Sequence, residues 1–172
     1  RYLDSGQQAR LTEVSNAPGN LTWSHDSKHL AFTMFTPVKT KPLFTAMPEK
    51  PKGADWAPAA SIIQKTGYRA DGKGYLPDGF NQIYILPVSG GTPRQLTTGN
   101  YPNDGRLAFT PDDSGIYFSA NRSEDYELSP FDSDIYRVDI QSADVTAVTD
   151  MAGPEESPIL SPDGKYLAFK QI

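Results

Sequence analysis

The chain has two histidines, His25 and His29, and on a helix their four-residue spacing could place both on one face to hold zinc. They lie, however, in the string "WSHDSKHLAF", which is typical of a hairpin turn between two strands. No third ligand is near them in the sequence, and the chain contains no cysteine that could act as ligand or nucleophile. We therefore interpret both histidines as surface residues and predict neither a metal site nor a cofactor.

Three aspartates occupy the same position in three similar strings. Asp26 lies in "LTWSHDSKHLAF", Asp112 in "LAFTPDDSGIYF" and Asp163 in "PILSPDGKYLAF". A catalytic carboxylate is needed once, whereas a turn former is needed in every copy of a repeat. In Pro-Asp-Gly the aspartate bonds to nearby backbone and Gly164 accepts a positive φ. We therefore predict a structural turn role for Asp26, Asp112, Asp163 and Gly164.

A catalytic serine is not indicated. The nucleophile elbow of α/β-hydrolases has the sequence G-x-S-x-G, which does not occur in the chain. Ser114 and Ser161 lie in the repeated turns instead. We predict no catalytic residue in this sequence.

The turns belong to a longer repeat. An apolar residue followed by threonine, as in Leu96-Thr97, stands 12 or 13 residues before the last residue of the strand that leads into each turn. "QIYILPVSGGTPRQLT" and "DIYRVDIQSADVTAVT" add a third landmark, and their apolar residues alternate or run together as in strands. Each unit therefore predicts about four antiparallel strands. Four-stranded repeats of this length are typical of a β-propeller, so the expected fold is all-β, a partial propeller.

The landmarks also predict the boundaries. We expect the tail of a blade at residues 1–16, a blade with a long insertion at 17–98, a blade at 99–150 and a partial blade at 151–172. The insertion lies within residues 35–80. Because propellers need four to eight blades to close, we expect the chain to be a segment of one propeller domain in a longer protein.

Charge and hydropathy exclude two classes of partner. The net charge of −5 argues against nucleic-acid binding through a basic face. No run of about 18 apolar residues occurs, so no membrane span is predicted. The lack of cysteine fits an oxidising and a reducing compartment equally, which leaves the periplasm and the cytoplasm of a bacterium both open.

The insertion differs from the rest of the chain in charge. Residues 35–80 hold seven basic and four acidic residues, a net +3, which leaves −8 for the remainder. The stretch is rich in proline, which resists regular structure but keeps a loop stiff, and long insertions in compact domains are often functional. We expect Trp56, Tyr68 and Arg69 to contact substrate or another domain, with a solvated decoration as the alternative.

Two sets of residues suggest a family. "FTPDDSGIYF" and "SPDGKYLAF" resemble the propeller repeat shared by TolB and the prolyl oligopeptidase family. "TGYRADGKGY" followed by "QIYILPVSGGTPRQLTTG" is similar to the propeller of the acylaminoacyl peptidase and dipeptidyl aminopeptidase branch. The resemblance runs from about residue 11 to 172.

The resemblance implies a serine peptidase whose propeller covers an α/β-hydrolase domain and restricts the access of large substrates. That domain would carry the catalytic triad, so this chain would be non-catalytic, with the hydrolase domain of the same parent chain and a peptide substrate as partners. The alternative is a TolB-like propeller that binds proteins and has no enzyme activity.

Glu155 and Glu156 are the last candidates. They resemble the acidic pair that binds substrate amino termini in dipeptidyl peptidases, but the aromatic surroundings of that motif are missing. We therefore interpret them as residues of a solvated loop.

Overall fold

The computed structural model describes residues 3–38, 49–55 and 63–172, and in this part of the chain all regular structure is β-strand. In chain order the strands are β1 (Gly19–Trp23), β2 (His29–Pro37), β3 (Arg69–Ala70), β4 (Gly74–Tyr75), β5 (Gly79–Pro87), β6 (Arg94–Gln95), β7 (Ala108–Phe109), β8 (Gly115–Ala120), β9 (Asp134–Asp139), β10 (Val145–Ala147), β11 (Glu155–Leu160) and β12 (Leu167–Gln171). A helix able to cross a membrane is not found among the described residues.

The strands form two four-stranded sheets and two small ones. The order in the first sheet is β1-β2-β5-β6, and in the second it is β7-β8-β9-β10. β11 pairs with β12 in a third sheet, and β3 pairs with β4 in a separate hairpin. All pairs are antiparallel. The prediction of an all-β fold of four-stranded antiparallel units is confirmed.

The core lies between the two large sheets. One cluster of buried apolar side chains joins them: Ala31, Ile83, Ile85, Leu96, Leu107, Phe109, Ile116, Phe118, Ala120 and Val138. Phe118 and Ile116 are fully buried, and the ring of Phe118 stacks on that of Tyr136 at 5.9 Å between centroids. Face-to-face stacking of four-stranded meanders is the packing of consecutive propeller blades.

The outer face of the first sheet is covered by residues 11–14. Because side chains alternate along a strand, Phe32 and Met34 of β2 point away from the main core and pack with Tyr84, Leu86, Leu11 and Val14. The N–H of Gly91 donates to the carbonyl of Leu11 at 3.1 Å. Gly90 has a φ of 88°, and a Cβ there would lie 2.7 Å from the Leu11 oxygen. Only glycine satisfies both requirements at this contact.

Antiparallel pairing gives the sheets two distinct ends. One end, which we call the turn end, holds the tight turns at 24–28, 110–114 and 161–165. The opposite end, which we call the connection end, holds residues 63–78 of the connection 38–78, together with the connection 121–133. Pro37, the last residue of β2, pairs with Gly79, the first residue of β5, so the strands on either side of the connection 38–78 are neighbours.

Candidate functional site

A cleft lies at the connection end of the described structure. It has a volume of about 870 Å³ and is open to solvent. One wall is residues 63–78, which we call the arm, and the other is the connection 121–133, which we call the facing loop. The start of β5, with Phe80 and Asn81, forms the floor. The cleft is therefore built by the connections of two consecutive sheets.

The arm contains a short hairpin, in which two strands of two residues each are joined by residues 71–73. Arg69 pairs with Tyr75 and Ala70 with Gly74, and the N–H of Lys73 donates to the carbonyl of Ala70 at 3.1 Å. The rings of Tyr68 and Tyr75 lie 6.2 Å apart, and both side chains are exposed. The hairpin thus presents two neighbouring aromatic side chains to solvent at the edge of the cleft.

A pair of hydrogen bonds ties the arm to the facing loop. The backbone N–H and the hydroxyl of Thr66 donate to Oε2 of Glu127 at 3.1 and 3.2 Å. The hydroxyl of Tyr126 donates to the other oxygen, Oε1, at 3.1 Å. The N–H of Thr66 is the largest cause that lowers the pKa of Glu127, so this carboxylate stays charged at neutral pH.

An aromatic and cationic contact supports the same junction. The ammonium of Lys65 lies 4.0 Å from the centroid of the Phe80 ring, and 3.9 Å from the carboxylate of Asp78. The Phe80 ring meets that of Tyr126 edge-to-face at 5.9 Å. Burial and the charge of Glu127 raise the pKa of Tyr126 to about 12. Tyr126 is therefore a neutral hydrogen-bond donor across the physiological range.

The structure places the predicted contact residues as follows. Tyr68 lines the cleft. Arg69 lies on the same hairpin with an exposed side chain but does not line the cleft. Trp56 lies outside the described residues.

The repeated aspartates lie at the turn end, far along the strands from the cleft. Hydroxyls of Ser24, Thr110 and Ser161 donate to Asp26, Asp112 and Asp163 at 2.7, 2.7 and 2.6 Å. In each turn, the N–H two residues after the aspartate donates to the same carboxylate. Gly164 has a φ of 69°. The hydroxyls of Thr110 and Ser114 lower the pKa of Asp112 to about 2, and hydroxyl bonds from Ser24 and Ser161 lower those of Asp26 and Asp163.

The histidines are also at the turn end. Nδ1 of His25 lies 2.9 Å from Oδ1 of Asp113, in the turn of the second sheet. The hydroxyl of Ser24 is occupied by Asp26 and by the carbonyl of His29. Within the described residues no group of three metal-binding side chains comes together.

The solvated-loop interpretation of Glu155 is wrong. Glu156 is exposed, but Glu155 is fully buried at the first position of β11. The N–H of Glu155 donates to the carbonyl of Ser133, and the hydroxyl of Ser133 donates to the carbonyl of Glu155. Sequence reasoning failed because a charged pair in a connection is usually solvated. It also missed Glu127 and Lys65. The one available signal for Glu127 was the length of the facing loop, which exceeds that of a tight hairpin.

Comparison with known proteins agrees with this architecture. Residues 73–171 match the family described as dipeptidyl peptidase IV (DPP IV) N-terminal region. The chain is 30% identical over 162 residues to the uncharacterized protein Atu1656 of Agrobacterium fabrum, covering 91% of this chain and 50% of that protein. It is 28% identical over 126 residues to the uncharacterized peptidase YuxL of Bacillus subtilis, covering 73% of this chain and 18% of that protein.

The chain therefore spans half or less of the length of these relatives. Among solved structures, TolB from Acinetobacter baumannii superposes with a TM-score of 0.56 at 19% identity, covering 97% of this chain and 30% of that one. At this identity the likeness shows the fold, which is that of a propeller. The predicted resemblance to peptidase propellers with TolB-like repeats is confirmed, and the chain belongs to the dipeptidyl peptidase IV N-terminal region family, as part of a peptidase-associated β-propeller domain.

Proposed function

We propose that this chain is a non-catalytic part of the propeller of a serine peptidase, and that it gates the access of peptides to an α/β-hydrolase domain of the same parent chain. The observation that carries the proposal is the match to the dipeptidyl peptidase IV N-terminal region over residues 73–171, which include β4 of the arm, the whole second sheet and the β11–β12 pair. We propose that the parent belongs to the acylaminoacyl and dipeptidyl aminopeptidase branch of the prolyl oligopeptidase family, which its sequence pattern resembles.

The cleft supports a role in gating. It lies at the connection end, where the arm projects beyond the sheets and is held by the Thr66–Glu127 junction. A gate needs a surface that is positioned yet able to move, and a segment held by a few exposed hydrogen bonds opens at low free energy. Exposed Tyr68 and Tyr75 offer apolar contact area to a peptide or to the catalytic domain.

The test uses the full-length parent protein. We expect a serine-reactive phosphonate to block hydrolysis of aminoacyl and acyl-aminoacyl chromogenic peptides. The Tyr68→Ala/Arg69→Ala double variant, alone and with Trp56→Ala, should change kcat/KM for long peptides more than for dipeptide substrates. Lys28→Ala is the matched control, because Lys28 is an exposed cation at the turn end.

Unchanged kinetics in the arm variants would remove the arm from the gate. Absence of phosphonate-sensitive hydrolysis in the parent protein would remove the peptidase assignment itself.

A second candidate is a TolB-like propeller that binds proteins and has no enzyme activity. It is favoured by relative length: the 162 aligned residues are half of Atu1656, which is thus about 320 residues long. The 126 aligned residues are 18% of YuxL, which is thus about 700 residues long. Only the longer protein has room for a propeller and a hydrolase domain. A G-x-S-x-G elbow encoded downstream in the parent gene would support the peptidase. Further propeller blades followed by a stop codon, with no such elbow, would support the binding module.

A further inference from the structure

Asn103 and Glu155 occupy equivalent positions in consecutive sheets. Each follows a proline and donates its N–H to a carbonyl near the start of an earlier strand. Asn103 donates to Asn81 of β5 at 3.4 Å, and Glu155 donates to Ser133, the residue before β9, at 2.7 Å. The hydroxyls of Thr97 and Thr149 accept from the N–H of Ile83 and Ile135 in the same register, at 2.8 and 2.9 Å. Gln82 in β5 therefore corresponds to Asp134 in β9.

The site around Asn103 is complete. The side chain is 1% exposed, and its Nδ2 donates to Oε1 of Gln82 at 3.1 Å and to the carbonyl of Tyr101 at 3.0 Å. Its Oδ1 accepts from Nη1 of Arg122 at 3.2 Å. The guanidinium of Arg122 lies over the ring of Tyr101, 4.7 Å from its centroid. The cation comes from the segment that follows the second strand of the next sheet.

The site around Glu155 has the opposite chemistry. Two carboxylates, Asp134 and Glu155, stand where the first site has two amides. Glu155 is 0% exposed, and neither of its carboxylate oxygens has a hydrogen-bond partner among residues 3–38, 49–55 and 63–172. Burial and the charge of Glu155 raise the pKa of Asp134. Buried charges are paired in native proteins, because an uncompensated one is strongly destabilising.

We propose that Glu155 is the buried anion of an ion pair between blades, and that its partner is an arginine at the position equivalent to Arg122. Arg122 is the fourth residue after Phe118, and Phe118 corresponds to Phe169 in β12. The proposed arginine is therefore the fourth residue after Phe169, which directly follows Ile172 in a longer parent chain. Relatives of twice this length or more have room for such a segment.

This proposal does not depend on the peptidase assignment, because it concerns how one sheet joins the next. A carboxylate in place of the Asn103 amide makes the acceptor charged as well as the donor, which strengthens the hydrogen bond. The guanidinium also offers several donors in a planar fork, enough for both oxygens of Glu155.

A pair of extended chains tests the proposal. One carries Arg-Ser-Gly-Gly after Ile172 and the other carries Ala-Ser-Gly-Gly, and each is made in the native sequence, in Glu155→Gln and in the control Glu156→Gln. We expect the arginine extension to raise Tm by about 3 °C or more over the alanine extension, in the native sequence and in Glu156→Gln. The difference should disappear in Glu155→Gln. Equal Tm values for the two extensions, or a difference that persists in Glu155→Gln, would overturn the proposal.

Two further readouts do not depend on the extended chains. An arginine at the stated position of the parent gene supports the proposal, and any other residue overturns it. The second readout adds free and N-acetylated trialanine to the unextended chain. If the free peptide alone raises Tm, and Glu155→Gln abolishes the effect, the cation is a ligand amine and the proposal of an inter-blade arginine is wrong.

Discussion

Asp113 joins two turns that are 88 residues apart: its Oδ1 accepts a hydrogen bond from the backbone N–H of His25 at 2.8 Å. Oδ2 accepts from the N–H of Asp26 at 2.9 Å, so one carboxylate caps the turn of the neighbouring sheet. Asp113 itself has a φ of 56°, in the left-handed region that aspartate tolerates better than most residues. The turn end of the structure is thus held by a side chain as well as by the core.

We expect Asp113→Ala to lower the free energy of unfolding by about 1–3 kcal/mol, because two N–H groups lose their acceptor. Burial tends to raise the pKa of Asp113, but the hydrogen bonds from His25 and Asp26 outweigh it and the pKa is lowered. The stabilisation is therefore full above the unfolded pKa of about 3.9 and is lost as the pH falls through the folded value. Chemical unfolding of both proteins between pH 7 and 2 measures this, and a difference that does not shrink in acid contradicts it.

The carboxylates of Asp112 and Asp163 should contribute unequally to stability, and both contributions should depend on pH. Asp112→Asn and Asp163→Asn remove the same charge from equivalent turns, but the pKa of Asp112 is lowered to about 2 and that of Asp163 less strongly. Both lowered values predict stability that is present at neutral pH and lost in acid. We expect the Asp112 variant to show the larger loss of Tm at pH 7, and its difference from the native chain to vanish near pH 2. A larger loss of Tm in the Asp163 variant would show that the hydrogen bonds to the turn aspartates do not determine the stability of the turns.

The arm should loosen without global unfolding when its junction is removed. In Glu127→Ala the acceptor of both Thr66 donors is lost, so we expect faster amide exchange over residues 66–80 and faster tryptic cleavage at Arg69 and Lys73. Tm should change little, because these contacts are exposed. Glu124→Ala is the control, since Glu124 is an exposed carboxylate of the facing loop. Equal amide-exchange and protease protection of the arm in both variants would contradict the role of Glu127 in holding the arm.

The core between the sheets should dominate stability. Phe118→Ala removes a fully buried ring, and we expect it to lower the free energy of unfolding by about 3–5 kcal/mol. Phe131→Ala changes the same residue type where it is 81% exposed, and should stay within about 0.5 kcal/mol. Urea unfolding followed by circular dichroism measures both. Similar losses in the two variants would mean that the sheets do not stack through Phe118.

The sequence predicted the sheets because their determinants are local. Apolar residues two apart, such as Ile116 and Phe118, mark one face of a strand, and the hydroxyl-to-aspartate turn is written within three residues. The cleft between the arm and the facing loop could not be predicted from local sequence patterns. Thr66 and Glu127 are 61 positions apart, and no periodicity relates them. Glu155 was misjudged for a similar reason: its burial depends on how the third sheet packs on the second, which its own neighbours in sequence do not reveal.

The unequal connections in the two large sheets have a consequence for the order of folding. β2 and β5 pair over nine residues across the 41-residue connection 38–78, whereas β8 and β9 pair across the 13 residues 121–133. Loop-closure entropy grows with the logarithm of length, so the longer connection costs about 1 kcal/mol more before any pairing is gained. We therefore expect the second sheet to form first and the first sheet to pack onto it afterwards. The arm should then be among the last segments to fold.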